Sequence, residues 1–443
     1  MSVRDNFEKH YSEENLDRIY QEYTILSAAS GIDNLSHRMF WEIKNNQISS
    51  ISNKVTSGKF KFTKYKLKLI SKGRGKVPRE ISIPTIRDRI VLRALCEFLI
   101  ERYNGVVTFD LPQSVINQVS KSLLNGKFDG FIKLDVSNFY PSIKHEELLS
   151  RIRRKIRNKE IIKFIHEAIQ TPTVIKSTKS DKPESIGVPQ GLSISNILSA
   201  IYLINIDNAY YKRKDIEFYR YVDDILIFCD RSKAHDISGE IIRKFKKLGL
   251  EIHDPEKIPE KSCIGNVGDR LDYLGYKFEN GLISAREGSV EKLKESIISI
   301  FTGYKYSTLK SKEFLLWRLN LRITGCIFQE KCKGWLFFFS EINDESLLHR
   351  LDIFVEKIAS RFSVDVAPKK FVRSFYEIKH NKYESNYIPN FDTYTIEQMK
   401  DVLISYFNKD ISGLAHGQIE YEFKKRLTKQ VKDLLTDVQG FGY

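Results

Sequence analysis

The chain has 443 residues, of which 41% are hydrophobic and 12% aromatic, and it carries a formal net charge of +15 at pH 7. This composition excludes a disordered chain, and the length predicts two to four subdomains around a large core. A positive surplus of this size indicates a polyanionic partner, and no apolar run approaches the about 18 residues that a membrane-spanning helix needs. Since the N-terminus lacks a signal-peptide pattern, we expect a cytoplasmic protein that binds nucleic acid and no membrane.

The N-terminal half is predicted to combine helices with short strands. Residues 1–58 are expected to form a helical extension, and residues 59–84 two strongly basic strands. Thr85 is predicted to cap the helix that follows. An apolar strand then spans residues 131–136, with Asp135 next to its end.

The C-terminal half begins with an apolar helix over residues 193–210 and a β-hairpin over residues 218–228. Residues 236–248 are amphipathic and predict a further helix. The dipeptide Asn280-Gly281 is typical of a tight turn, here between two strands expected at residues 271–278 and 282–285. Beyond residue 290 the pattern is mostly helical.

Two adjacent acids, Asp223 and Asp224, lie at the predicted tip of the first hairpin. Their neighbours are β-branched and aromatic, so two carboxylates are costly there unless a cation offsets their charge. If the hairpin pairs with the strand that contains Asp135, three carboxylates converge at one edge of a sheet. Such hard oxygen ligands suit Mg²⁺, and two ions about 3.5–4 Å apart can catalyse phosphoryl transfer. The alternative is an ordinary surface turn.

Six segments resemble, in order and in spacing, the motifs of reverse transcriptases. They are KVPREISIP at 76–84 with DRIV at 88–91, FIKLDVSNFYPSI at 131–143, GVPQGLSISN at 187–196, YVDD at 221–224, LGLEIHDPEK at 248–257 and LDYLGY at 271–276. The resemblance implies an α+β right-hand polymerase fold. Fingers and an antiparallel palm would occupy residues 59–290, a helical thumb residues 291–362, and a C-terminal extension residues 363–443, binding RNA or packing with the thumb.

The resemblance also implies the residues of the catalytic centre. Asp135, Asp223 and Asp224 would hold two Mg²⁺ ions, or Mn²⁺ in their place. The main-chain carbonyl of Val136 would be a further metal ligand. Lys257 would protonate the departing pyrophosphate, and the alternative for this residue is a solvated surface lysine.

The sugar of the incoming dNTP would lie on Tyr140, which matches the aromatic steric gate of the family. Its ring would clash with a ribose 2′-OH, unless Tyr140 is only a packed core aromatic. Phe139 is the neighbour with which it could be confused. Related enzymes of retroviral and intron type usually have proline where this chain has Asn196, and we interpret that difference as a lineage marker.

The remaining pocket residues are implied by two further motifs. Gln190 and Gly191 would shape the nucleotide pocket below the templating base pair, with an ordinary helix-entry loop as the alternative. Lys76 and Arg79 would hold the triphosphate, for which a bidentate guanidinium is well suited. The alternative is a charged ribbon that grips the template alone.

Among reverse transcriptases, the segments at 139–143 and 319–339 resemble those of bacterial defence-associated enzymes, and the small size is most similar to their stand-alone type 2 class. This resemblance implies that the chain binds a structured noncoding RNA, copies part of it into cDNA, and acts against bacteriophage. The candidate RNA surfaces are the basic runs at 59–79, 151–157 and 369–373, although such runs are often solvated faces.

Two other functions stay open. Relatives of the abortive-infection type add nucleotides without a template from a protein hydroxyl, and the 22 tyrosines do not exclude a protein primer. The second alternative is a catalytically silent, polymerase-like fold that serves as an RNA-binding scaffold. Such scaffolds can lose the metal-binding acids, whereas this chain has all three.

Overall fold

The computed structural model describes residues 2–25, 27, 29–71, 75, 77–308, 310–436 and 438. Its α-helices are, in chain order, α1 (Val3–His10), α2 (Glu13–Ile19), α3 (His37–Thr56), α4 (Ile86–Arg102), α5 (Pro112–Asn125), α6 (His145–Arg153), α7 (Lys159–Gln170), α8 (Ser195–Tyr211), α9 (Ala234–Lys247), α10 (Glu287–Lys305), α11 (Lys312–Thr324), α12 (Trp335–Phe338), α13 (Glu345–Arg361), α14 (Phe371–Asn381), α15 (Ile396–Ser405) and α16 (His416–Leu435).

The strands are short and belong to four sheets. They are, in chain order, β1 (Tyr65–Ile70), β2 (Arg79–Ile83), β3 (Gly130–Ser137), β4 (Thr173–Val174), β5 (Ile216–Tyr221), β6 (Asp224–Cys229), β7 (Glu251–Ile252), β8 (Cys263–Asn266), β9 (Leu271–Tyr273), β10 (Tyr276–Glu279), β11 (Leu282–Ala285), β12 (Cys326–Phe328) and β13 (Lys331–Lys333). This mixture of helices with largely antiparallel strands confirms the predicted α+β class.

The central sheet has the strand order β5-β6-β3-β7, and β8 also pairs with β3. Strand β3 is antiparallel to both β6 and β7. Apolar side chains on β3 and β6 are buried on both sheet faces, as expected of strands at the centre of a sheet. The predicted strand and hairpin are therefore confirmed, and so is their pairing.

Two helices of the same region follow directly from local sequence. The hydroxyl of Thr85 accepts a hydrogen bond from the backbone N–H of Asp88, so the predicted N-cap of α4 is confirmed. Helix α8 is apolar on most of its circumference and is buried over most of its length, which explains its lack of an amphipathic pattern.

The chain divides into two compact units. One comprises residues 1–109 and 130–264, and the other comprises residues 110–129 and 265–443. The first unit contains strands β1 to β7 and helices α1 to α4 and α6 to α9. The subdomain boundaries expected from the sequence, at 58, 290 and 362, stay predictions. None of the described helices is both long enough and apolar enough to cross a bilayer.

The second unit departs from the sequence-based expectation in two places. Residues 271–278 do not form one strand, because Leu274 and Gly275 both have positive φ and turn the chain between β9 and β10. The β12–β13 hairpin was missed, because its turn residues Gln329 and Glu330 adopt positive φ without a Gly or Asn signal.

The polar C-terminal region also contains a hydrophobic core of its own. Helix α16 buries residues at regular helical intervals, including Ile419, Phe423 and Leu427, against α15 and the β12 strand. Cys326 lies in this core as a buried free thiol.

Replacement of Phe423 by alanine is expected to destabilise this C-terminal core by about 3–5 kcal/mol, the usual cost of removing a buried phenylalanine side chain. Phe423 is 1% exposed, whereas Tyr421 on the same helix is 38% exposed. The control Tyr421→Ala should therefore cost less than about 1 kcal/mol. Urea unfolding of the full chain measures both, and equal costs would contradict this packing.

Candidate active site

Three acids lie at one end of the central sheet. Asp135 on β3 is directly opposite Asp224, the first residue of β6, in the antiparallel register. Asp223 occupies the second position of the two-residue turn that connects β5 to β6. The backbone N–H of Val136 donates to the carbonyl oxygen of Asp223 at 3.3 Å, which ties this turn to β3. The structure therefore brings Asp135 together with Asp223 and Asp224, which lie 88 and 89 residues further along the chain.

The acids repel one another and are shielded from water. Burial, with the nearby charges of Asp223 and Asp135, raises the pKa of Asp224 to about 7. Burial also raises the pKa of Asp223, to which the charge of Asp135 contributes. Carboxyl groups with raised pKa values indicate negative charge that the protein itself does not fully neutralise.

Two basic side chains that the sequence analysis did not select contact Asp135. The Nζ atom of Lys261 and the Nε2 atom of His253 each lie 3.3 Å from Asp135 Oδ2. The backbone of His253 also donates to the carbonyl oxygen of Asp135 at 3.0 Å. His253 belongs to the 248–257 motif, so its position offered a signal. No sequence pattern indicates Lys261, because only the path of a loop places it close to Asp135.

Lys257, which is predicted to protonate the departing pyrophosphate, lies in a different environment from Lys261. Its side chain is 81% exposed, and its Nζ atom lies 3.7 Å from Asp254 Oδ2. Lys257 therefore pairs with Asp254, whereas Lys261 pairs with Asp135. The role of Lys257 stays a prediction, and the structure brings Lys261 into contact with Asp135.

The donor set fits a divalent cation. Within the described ranges, no group of three or more His, Cys, Asp or Glu side chains has the geometry of a complete metal site. However, Asp135, Asp223 and Asp224 supply hard carboxylate oxygens at one sheet end. The raised pKa values of Asp223 and Asp224 indicate that positive charge is favoured there. These three residues would hold Mg²⁺, and Val136 follows Asp135 on the same strand.

Tyr140 begins a short 3₁₀ turn after β3, and its neighbour Phe139 is fully buried in the core. The ring of Tyr140 is only partly buried, and its hydroxyl donates to Asn196 Oδ1 at 2.6 Å. Burial raises the pKa of Tyr140 to about 12, which keeps the hydroxyl protonated as a donor. Of the two aromatics, Tyr140 has the exposure that a gate requires, and Asn196 fixes its hydroxyl.

The loop at 187–191 is held by its carbonyl oxygens. Gly187 receives a bond from His145 Nε2 at 2.6 Å, and Pro189 one from the hydroxyl of Ser195 at 2.6 Å. Gln190 accepts from the backbone N–H of Ser82 on β2 at 2.7 Å. Burial lowers the pKa of His145, so its neutral ring can donate from Nε2 while Nδ1 is buried without a hydrogen-bond partner.

Gly191 is required because the loop approaches β2 closely. It has a φ of +97°, and an added Cβ atom would lie 2.7 Å from Ile81 Cγ2 and 3.1 Å from the carbonyl oxygen of Ser82. A side chain at this position would therefore push the loop from the strand. This contact explains the second glycine of the GVPQG sequence and joins the predicted pocket to the fingers strand β2.

The two predicted triphosphate ligands differ in what the structure describes. Arg79 begins β2, is exposed, and its positive charge lowers the pKa of Asp223, opposing the effect of burial. Lys76 lies outside the described residues. Gln190 is half-buried in the loop that β2 supports. Thus Arg79, Gln190 and Gly191 all lie on or beside β2.

Several cations of the predicted RNA surfaces are already neutralised. Lys64 pairs with Asp181 at 2.9 Å, and the buried Arg151 pairs with Glu147 at 2.9 Å. In the third run, Lys370 pairs with Glu356. A count of basic residues therefore overstates the charge that these surfaces offer to a polyanion, and their role stays a prediction.

The apparent affinity of the protein for Mg²⁺ should rise about tenfold between pH 6 and pH 8. A group with a pKa of about 7, such as Asp224, is about nine-tenths protonated at pH 6 and one-tenth at pH 8, and protons compete with the metal. Titration of Mg²⁺ into the protein, followed by thermal unfolding, measures this change.

The raised pKa of Asp224 also determines how the stability of the metal-free protein changes with pH. The folded-state value lies above the value of about 3.9 for an unfolded chain. Stability is therefore lost as the pH rises from about 4 to about 7. Asp224→Asn should reduce both pH dependences, and an Mg²⁺ affinity that is equal at pH 6 and pH 8 would contradict the assignment.

Comparison with known proteins shows which family the segment that contains these acids is similar to. Residues 70–278 match the model of the family described as "Reverse transcriptase (RNA-dependent DNA polymerase)". A putative COX1/OXI3 intron 1 protein of Saccharomyces cerevisiae is 25% identical over 167 residues, which are 36% of this chain and 20% of that protein. The group II intron-encoded protein LtrA of Lactococcus lactis subsp. cremoris is 21% identical over 369 residues, which are 78% of this chain and 59% of that protein.

Similar solved structures include apo telomerase from Candida Tropicalis, with a TM-score of 0.45 and 14% identity over 90% of this chain and 76% of that one. The chain thus spans a fifth of one curated relative and about three fifths of the other. The matched family segment contains Asp135, Asp223 and Asp224 together with Tyr140 and the 187–191 loop. Residues 70–278 are therefore similar to a reverse transcriptase domain.

Proposed function

We propose that the chain is an RNA-directed DNA polymerase that joins dNTPs by two-metal nucleotidyl transfer. The observation that carries this proposal is the register of the central sheet, which sets Asp135 opposite Asp224 beside the turn that contains Asp223. This arrangement lies inside the segment that matches the reverse transcriptase family. Carboxylates at the end of a rigid sheet are suited to hold cations without reorganisation during the reaction.

The proposed reaction forms a bond between the primer 3′ oxygen and the α-phosphorus of a dNTP, while the bond to the pyrophosphate oxygen breaks. Two Mg²⁺ ions, or Mn²⁺ in their place, would activate the 3′-OH and neutralise the leaving group. Asp135, Asp223 and Asp224, with the carbonyl of Val136, would hold them. Catalysis would come mainly from positioning and charge neutralisation.

The other pocket residues would orient the nucleotide. Arg79 would bind the triphosphate from β2, and Gln190 and Gly191 would support the nascent base pair. Tyr140 would pack against the sugar, with its ring held by Asn196. Lys76 and Lys257 retain the roles that the family resemblance implies, binding the triphosphate and protonating pyrophosphate.

We further propose that the template is a structured noncoding RNA, copied into cDNA in the cytoplasm of a bacterium as part of anti-phage defence. The support is the resemblance to the stand-alone type 2 class together with the formal charge of +15. Phosphate contacts by Lys and Arg would make RNA binding salt-dependent, while loops and 2′-OH groups would give specificity.

Replacing both turn acids tests the polymerase activity. Asp223→Asn/Asp224→Asn should lower Mg²⁺-dependent dNTP incorporation by at least about 10²-fold, the order lost when a group that stabilises developing charge is removed. The matched control is Asp230→Asn, just beyond the end of β6, where the acid pairs with Lys233 at the surface. Primer extension measures all three proteins, and undiminished incorporation by the double variant would refute the assignment.

Sequencing the RNA and cDNA that copurify with the protein tests the template. The expected cDNA is complementary to one copurified structured RNA and is missing from the Asp223→Asn/Asp224→Asn variant. A product unrelated to any supplied or copurified RNA would refute templated synthesis. A product attached to the protein itself would favour a protein primer.

The preference for dNTPs over rNTPs tests whether Tyr140 acts as a steric gate. Tyr140→Phe and Asn196→Ala each remove the same hydrogen bond, so each should raise the use of rNTPs relative to dNTPs by about three- to tenfold. Tyr140→Ala should have a larger effect because the ring itself is lost. Tyr202→Phe is the control, since it removes a hydroxyl that donates from α8 to the carbonyl of Leu248.

Incorporation assays with each nucleotide class give the ratio for every variant. Unequal effects of Tyr140→Phe and Asn196→Ala, or an effect as large in Tyr202→Phe, would contradict the proposed function of the hydrogen bond.

A further inference from the structure

The turn that carries Asp223 is built on a strained residue. Val222 has a φ of +55°, and it is the only one of the two turn residues with positive φ. This is the pattern of a type II′ hairpin turn, in which glycine usually occupies the first position. A β-branched residue is unfavourable in the left-handed region, so surrounding contacts must hold the backbone there.

Arg220 provides one such contact. It is the last but one residue of β5, and its Nη1 atom donates to the carbonyl oxygen of Val222 at 2.8 Å. The Arg220 side chain is only 9% exposed, so little water competes for this bond. By this hydrogen bond the guanidinium holds the peptide group that connects Val222 to Asp223.

The guanidinium is itself held by Asp207 on helix α8. Its Nε atom donates to Asp207 Oδ1 at 2.7 Å, and its Nη2 atom donates to Oδ2. Such a bidentate pair fixes the plane of the guanidinium as well as its distance. Asp207 is 15% exposed, and helix α8 is buried over most of its length. The pair therefore connects the turn to a helix that is fixed by its packing.

We propose that Asp207 and Arg220 act as one positioning unit that holds the catalytic turn in its strained conformation and thereby sets the carboxylates of Asp223 and Asp224. The consequence for catalysis rests on the proposed polymerase function. Neither residue needs to touch substrate, because each acts through the main chain of Val222.

The chain offers a matched control pair on the opposite end of β5. Arg213 Nη1 lies 2.9 Å from Glu240 Oε2 on α9, just before the strand begins. Glu240→Gln weakens an ion pair as Asp207→Asn does, without reaching the turn. Both substitutions preserve side-chain size, and circular dichroism of the full chain verifies that each variant folds.

Steady-state primer extension is the first test. Asp207→Asn should lower kcat by about 10- to 100-fold with little change in KM for dNTP, because misplaced catalytic groups affect the chemical step. Glu240→Gln should leave kcat nearly unchanged. The double variant Asp207→Asn/Arg220→Gln should be no slower than the slower single variant, since the two residues act as a unit.

Binding of Mn²⁺ alone, measured by electron paramagnetic resonance, is the second test and does not depend on activity. Asp207→Asn should weaken Mn²⁺ binding about tenfold, and Glu240→Gln should not. Adding Val222→Gly to Asp207→Asn should restore part of the affinity, because glycine adopts this turn without strain.

Equal losses of kcat in Asp207→Asn and Glu240→Gln would overturn the proposal, as would additive losses in the double variant. If the wild type binds Mn²⁺ but incorporates no dNTP, the polymerase function is refuted and the Mn²⁺ affinities alone decide. An unchanged affinity in Asp207→Asn would then refute the positioning unit.

Discussion

Three carboxylates that repel one another are held at the end of one sheet, and most of the surrounding structure serves that constraint. The β3–β6 register sets Asp135 against Asp224, and no local property of either strand would favour this arrangement. Burial raises the pKa values of both turn acids further. The free energy lost here has to be offset by packing and hydrogen bonds elsewhere in the unit.

Helix α8 contributes two of these hydrogen-bonding contacts. Near its N-terminus Asn196 binds the hydroxyl of Tyr140, and towards its C-terminus Asp207 binds Arg220. One buried helix therefore contacts the proposed sugar gate directly and is connected through Arg220 to the turn that contains Asp223. Because the helix is apolar around most of its circumference, these polar contacts stand out, and each is directed to a residue of the site.

The basic side chains near the acids belong to residues that are distant from them in sequence. Lys261 and His253 reach Asp135 because β7 pairs with β3 and the loop after it returns to the sheet end. Lys257 has the expected position in its motif, yet its ion pair is with the neighbouring Asp254. Basic runs are similarly misleading in the sequence, since Lys64 and Arg151 are paired with acids of the protein.

The sequence by itself determined the α+β class, the central strands and the hairpin that contains Asp223 and Asp224, because ordered motifs and apolar periodicity are local properties. The role of these two acids and of Asp135 as metal ligands stays a prediction. Tertiary structure alone decided which groups support them. Asn196 looked like a lineage marker until its contact with Tyr140 was seen, and the Asp207–Arg220 pair has no sequence signal at all. Such contacts depend on how distant elements pack, and neither spacing nor composition encodes that packing.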